Sequence, residues 1–149
     1  MQWIKDIVAG LVEHSGTSDI YTICDFLNIE IIKKTNINSK SYYVRDSFGS
    51  EIIYLKPGLN PKKEKAIIAH ELGHAILHTD LSTAFFAGNR LANKCKIEKQ
   101  ADYFAATLLT WEIDLDNYSW DGQTIDQLAE EIDVTTDLLK IKSNNQRGE

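Results

Sequence analysis

The chain has 149 residues, 43% hydrophobic and 26% charged, with a formal net charge of −6. That balance suits one compact unit over residues 1–149 and excludes a disordered or fibrous chain. The acidic surface repels phosphate backbones, which argues against a direct nucleic-acid partner, and no apolar run approaches the roughly 20 residues that span a bilayer. The opening Met1-Gln2-Trp3-Ile4-Lys5-Asp6 lacks a basic region followed by an apolar stretch, so no secretory signal is expected. Cys24 and Cys95, far apart in the sequence, read as reduced thiols of a cytoplasmic protein.

In chain order, Trp3, Ile4, Ile7, Val8, Leu11 and Val12 recur at helical spacing, with Gly16 as a stop. A short helix follows from Asp19 to Leu27, capped by Ser18 or Asp19. Three strand-like segments come next: Ile29 to Lys33, Ser41 to Arg45 and Glu51 to Leu55. Asp46-Ser47-Phe48-Gly49-Ser50 between the last two reads as a hairpin loop, and Pro57-Gly58 and Pro61 end the sheet. A strong helix is predicted from about Lys62 to His78 and another from about Lys96 to Leu109. The acidic stretch from Trp111 to Gly122 reads as irregular, and a helical segment from Thr124 to Ile141 is interrupted near Asp133.

The first long helix carries His70-Glu71-Leu72-Gly73-His74. Positions four apart on a helix lie about 40° apart around its axis, so His70 and His74 present their imidazoles to one point. That geometry serves two nitrogen ligands of a tetrahedral Zn²⁺ and leaves positions for a third ligand and a water. Glu71 lies beside that face, within reach of such a water. Ile68, Leu72, Ala75 and Ile76 form the opposite, core-facing stripe. Gly73 costs about 1 kcal/mol of helix stability relative to alanine, which points to close approach of another backbone.

A third ligand must come from elsewhere. Glu98 and Asp102 share one face of the second helix, beside the small Ala101 and Ala105 that allow close packing. Glu98 is the favoured ligand, and Asp102 would accept the free N–H of one imidazole. Asp80, ten residues after His70, is the alternative; the extended motif that uses this offset needs glycine where Leu77 stands. Three histidines on consecutive turns spread too far along the axis for one ion, so His78 reads as a core or supporting residue.

The run His70-Glu71-Leu72-Gly73-His74-Ala75-Ile76-Leu77-His78, with Glu98-Lys99-Gln100-Ala101-Asp102-Tyr103-Phe104-Ala105-Ala106-Thr107-Leu108-Leu109, resembles the ImmA/IrrE family of metallopeptidases. The likeness covers roughly the central 60 residues, including the strand Glu51 to Leu55. It implies a zincin-like α+β fold, in which a small sheet of about three strands packs on the active-site helix and the Glu-bearing helix. It also implies His70, His74 and Glu98 as ligands of Zn²⁺, Glu71 as general base, and a cytoplasmic helix-turn-helix repressor of a mobile element or stress response as substrate. Cleavage would derepress the repressor's genes. Two imidazoles and a carboxylate would accept Mn²⁺ or Fe²⁺ as well. The family often continues Leu-Leu with Met-Pro where this chain has Thr110-Trp111, a departure in the wall beside the site.

The donor that stabilises the oxyanion is open among Tyr103, Tyr54, Tyr42, Tyr43 and His78. An extended substrate is expected to pair with a sheet edge, with Glu51 to Leu55 as the candidate. Residues 124–142 have a helix-turn-helix rhythm, but Asp126, Glu130, Glu131, Asp133 and Asp137 stand against only Lys140 and Lys142. Acidic helices do not suit phosphates, so a packing or substrate-docking element is expected. An alternative to the enzyme is an inactive metal-containing module that sequesters a repressor by binding. His14 reads as a capping or solvated residue, and Phe85 and Phe86 as core.

Overall fold

The computed structural model describes residues 1–78, 90–115, 117–119 and 121–146. Asp80, Phe85, Phe86 and Trp120 lie outside the described residues, as do the expectations that concern them. Helix α1 (Gln2–Ser15) buries Ile4 and Val8, one turn apart. It ends where Gly16 adopts a left-handed φ of 71° and returns its N–H to the Val12 carbonyl at 2.8 Å. Helix α2 (Ile20–Phe26) starts at Asp19, whose carboxylate accepts the Thr22 N–H at 2.9 Å.

Strands β1 (Ile29–Lys33), β2 (Ser41–Arg45) and β3 (Glu51–Leu55) form a three-stranded mixed sheet in the order β1-β3-β2. The β2–β3 pair is an antiparallel hairpin whose loop is organised by Asp46, its carboxylate accepting the N–H groups of Phe48 and Ser50. β1 runs parallel to β3, with Ile31 opposite Ile53. The link between β1 and β2 crosses the end of β3, where Lys34 N–H donates to Leu55 and Lys56 N–H to Lys40.

This order corrects one expectation. Glu51 to Leu55 is the central strand, hydrogen-bonded on both sides, and offers no edge to a substrate. The edges belong to β1 and β2. Period-two alternation sends Ile53 and Leu55 into the core, while Tyr54 meets Tyr42 on the other face with ring centroids 5.0 Å apart.

Asn60 caps helix α3 (Pro61–Leu77) through the Lys62 N–H, and Pro61 occupies the first turn, where its missing donor costs nothing. Ile68, Leu72 and Ala75 are buried, together with Ala69. Helix α4 (Arg90–Leu109) begins ahead of the expected Lys96, in a stretch of good helix formers without an apolar stripe. It packs along α3, burying Ala101, Phe104, Ala105 and Leu108. A Cβ placed on Gly73 would lie 3.1 Å from Ala101 Cα and 3.2 Å from its carbonyl oxygen, so the glycine is what brings the two helices together.

Helix α5 (Ile125–Glu131) opens with a reciprocal capping box between Thr124 and Gln127. Asp133, at a φ of 56°, turns the chain into α6 (Thr136–Gln146), which packs on α4 and adds Leu138 to the main core. The acidic side chains of this segment reach back to α3, Glu130 to Lys62 and Asp133 to Lys65. Among the described residues no helix is long and apolar enough to cross a membrane.

Candidate metal centre

His70 and His74 stand on adjacent turns of α3 with their rings edge to face, centroids 4.7 Å apart. Their Nε2 atoms are separated by 3.0 Å. From α4, Glu98 brings one carboxylate oxygen to 3.3 Å from His70 Nε2 and the other to 3.8 Å from His74 Nε2. Ligands about 2.0–2.1 Å from a tetrahedral ion stand roughly 3.3 Å from one another, and the three observed separations bracket that spacing. The donor set therefore fits a divalent metal ion. It can be reached from solvent, with side-chain exposures of 24% for His70, 21% for His74 and 45% for Glu98.

The two imidazoles are supported differently. His70 Nδ1 donates to Asp102 Oδ1 at 2.8 Å, which leaves Nε2 bare and aimed at the metal position. His74 Nδ1 lies 3.1 Å from His78 Nδ1, and His78 Nε2 lies 3.0 Å from Gln100 Oε1. Burial lowers the basicity of all three rings. For His70 that effect is outweighed by the hydrogen bond and charge of Asp102, joined by Glu71 and Glu98, and its pKa sits above the ordinary histidine value. For His74, burial and the neighbouring charge of His70 act together and bring it down; His78 is also lowered, chiefly by burial.

Glu71 is only 7% exposed, an uncommon setting for a carboxylate. Its Oε1 accepts a 2.6 Å hydrogen bond from the Ser41 hydroxyl at the start of β2, so an edge strand and the active-site helix meet at this carboxylate. Sequence reasoning missed Ser41, because a lone serine opening a strand carries no spacing signal. It also missed Gln100, although that residue lies between Glu98 and Asp102.

The candidate oxyanion donors fare unevenly. Tyr103 is fully buried, with its hydroxyl lacking a hydrogen-bond partner and its ring beneath Lys142 of α6, 5.7 Å from Nζ to centroid. One residue on from Asp102, it is turned about 100° away around the α4 axis. Thr107, one turn on, likewise meets Lys142. Tyr103 therefore packs in the core against α6. Tyr43 donates to Glu51, and its pKa is raised by burial and by that carboxylate. His78 has both ring nitrogens engaged, as described above.

A small mixed sheet backing a helix with two imidazoles, and a second helix lending a carboxylate to the same point, defines a zincin-like α+β protein. The chain belongs to the IrrE N-terminal-like domain family, Peptidase_M78, whose model matches residues 24–144. It is 27% identical over 139 residues to the uncharacterized immunity region protein 2 of Bacillus phage phi105, covering 93% of this chain and 88% of the phage protein. It is 32% identical over 107 residues to metallopeptidase ImmA of Bacillus subtilis (strain 168), covering 71% of this chain and 62% of ImmA. The chain thus spans less than two thirds of ImmA while matching most of the phage protein. Family and relative together support a metallopeptidase acting on protein, with a metal at its centre.

Proposed function

We propose that the chain is a zinc-dependent endopeptidase that cleaves a cytoplasmic helix-turn-helix repressor and so derepresses genes of a mobile element or stress response. The observation that carries the reading is the convergence of His70, His74 and Glu98 on one point, with Glu71 held beside them on the same helix. The repressor as substrate rests on the family resemblance; of the two relatives, one is named for a phage immunity region and the other as a metallopeptidase. Residues 1–149 act as one peptidase unit, with the segment of α5 and α6 as a packing or substrate-docking element.

His70, His74 and Glu98 would hold a zinc ion, which would supply Lewis acidity towards the scissile carbonyl and a nearby water. Glu71 takes that water's proton and delivers it to the leaving amine. Ser41 holds the Glu71 carboxylate in one orientation while it does so. Asp102 keeps His70 in the tautomer that binds metal. The substrate strand pairs with β2, an edge of the sheet packed beside α3, and so passes Ser41 and Glu71.

The test is incubation with a candidate helix-turn-helix repressor, with and without a chelator. Fragments that form only with metal, and not with the Glu71→Gln variant, support the reading. Cleavage by Glu71→Gln sinks the assigned base, and a stable intact complex means capture without cutting.

A further inference from the structure

His74, His78 and Gln100 form a chain of hydrogen-bonding atoms that ends on an amide. The amide oxygen of Gln100 can only accept. His78 must therefore place its proton on Nε2, which faces that oxygen at 3.0 Å. A neutral His78 then has a bare Nδ1. At 3.1 Å from His74 Nδ1, two bare nitrogens would repel, so His74 carries its proton on Nδ1 and donates it. His74 Nε2 is left as a lone pair 3.0 Å from the bare His70 Nε2, both directed at the point shared with Glu98, and a cation held there would offset the repulsion between them.

From this we infer that Gln100 and His78 are positioning residues that set the tautomer of His74, as Asp102 does for His70, and so prepare the second nitrogen for the metal. The inference rests on the metal-site reading above and deepens it. Reversal of the amide would have the opposite result. Its NH₂ group would donate to His78 Nε2, His78 would donate from Nδ1 to His74, and the His74 proton would move to Nε2, where it blocks coordination. A residue nine positions before the end of α4, remote in sequence from the His-Glu-x-x-His motif, thus decides whether that motif is ready for an ion. The two supports also differ in kind. A carboxylate holds His70, whereas a neutral imidazole and an amide hold His74, so the site acquires only one additional negative charge from its supports.

The test uses the full-length chain with ¹⁵N-labelled histidine, together with Gln100→Met and Gln100→Glu. Two-bond ¹H–¹⁵N spectra of the metal-free protein report each tautomer, and competition with a chromophoric chelator reports Zn²⁺ affinity. In the parent, His74 is expected with its proton on Nδ1 and His78 with its proton on Nε2. Gln100→Met, of similar size but with no amide, should mix the His74 tautomers and weaken Zn²⁺ binding about 10-fold; Gln100→Glu, whose carboxylate can only accept, should keep both. Gln100→Ala replaces the Met variant if thermal unfolding shows that the latter is not folded. A parent His78 protonated on Nδ1, or a Met variant with the parent's tautomers and affinity, overturns the relay. Failure of the parent to bind Zn²⁺ at all overturns the metal-site reading instead, and the spectra still decide the tautomers.

Discussion

The hydroxyl of Ser41 donates to the carboxylate of Glu71 across 2.6 Å, joining the first residue of an edge strand to the second residue of the His-Glu-x-x-His motif. A hydrogen bond to a charged acceptor contributes about 1.5–3 kcal/mol, enough to hold a carboxylate that burial would otherwise penalise. Ser41→Ala should leave Zn²⁺ affinity within about twofold while lowering kcat roughly 10-fold, equivalent to about 1.4 kcal/mol. Ser41→Thr should recover most of the loss. An unchanged kcat in Ser41→Ala, measured on a repressor-derived substrate, would detach Ser41 from the base.

The contact between Gly73 and Ala101 sets a second prediction. Alanine at position 73 gains about 1 kcal/mol of helix propensity, but its Cβ meets the Ala101 backbone at 3.1 and 3.2 Å and Phe104 Cδ1 at 3.2 Å. Backbone on a packed helix yields little, and overpacking of this kind costs about 1–3 kcal/mol. Gly73→Ala should therefore lower the Tm and weaken metal binding, because the helices that carry the histidines and Glu98 are forced apart. A Tm equal to or above that of the parent would mean that α4 can move away freely.

The histidines predict an order of protonation in the metal-free chain. Asp102 raises His70 above its ordinary value, whereas burial and the charge of His70 depress His74. As pH falls from 8, His70 should take its proton first and His74 only well below 6.5, as followed by NMR titration. The raised pKa of His70 favours the folded state at low pH, fully below the unfolded value, and that contribution is lost as pH rises through the folded pKa. Asp102→Asn should remove it. The Tm difference between parent and Asp102→Asn is thus expected to be larger at pH 5.5 than at pH 8, and the reverse trend would exclude Asp102 as its source.

The two thiols should behave differently. Cys24 is fully buried and its thiol is pushed up to about 12 by desolvation, whereas Cys95 is exposed. A thiol reagent at pH 8 should titrate one equivalent from the native chain and two after denaturation. Rapid native reaction of both would show that the packing of α2 against the core opens readily.

Much of the architecture was legible because it is written in local spacing. The 3.6-residue period placed His70 beside His74 and Glu98 beside Asp102. Asp19 and Gly16 marked helix ends through orphan N–H and C=O groups that any helix must satisfy. Gly73 announced a close approach before its partner was known. The start of α4 lies ahead of the expected Lys96 because its first turns carry no apolar stripe to mark them in the sequence.

By itself, then, the amino-acid sequence determined which side chains share a helix face or a strand face, and through them the two candidate nitrogens, the proposed base and the favoured carboxylate. Tertiary structure alone decided which faces meet. It put β3 in the centre of the sheet, turned Tyr103 towards α6, and brought Ser41 to Glu71 and Gln100 to His78. The physical reason is that backbone pairing is nearly blind to side-chain identity, so strand order is settled by loop crossings and by the burial of whole faces. Hydrogen bonds between residues 22 to 30 positions apart, such as those of His78 and Glu71, exist only after that packing has formed.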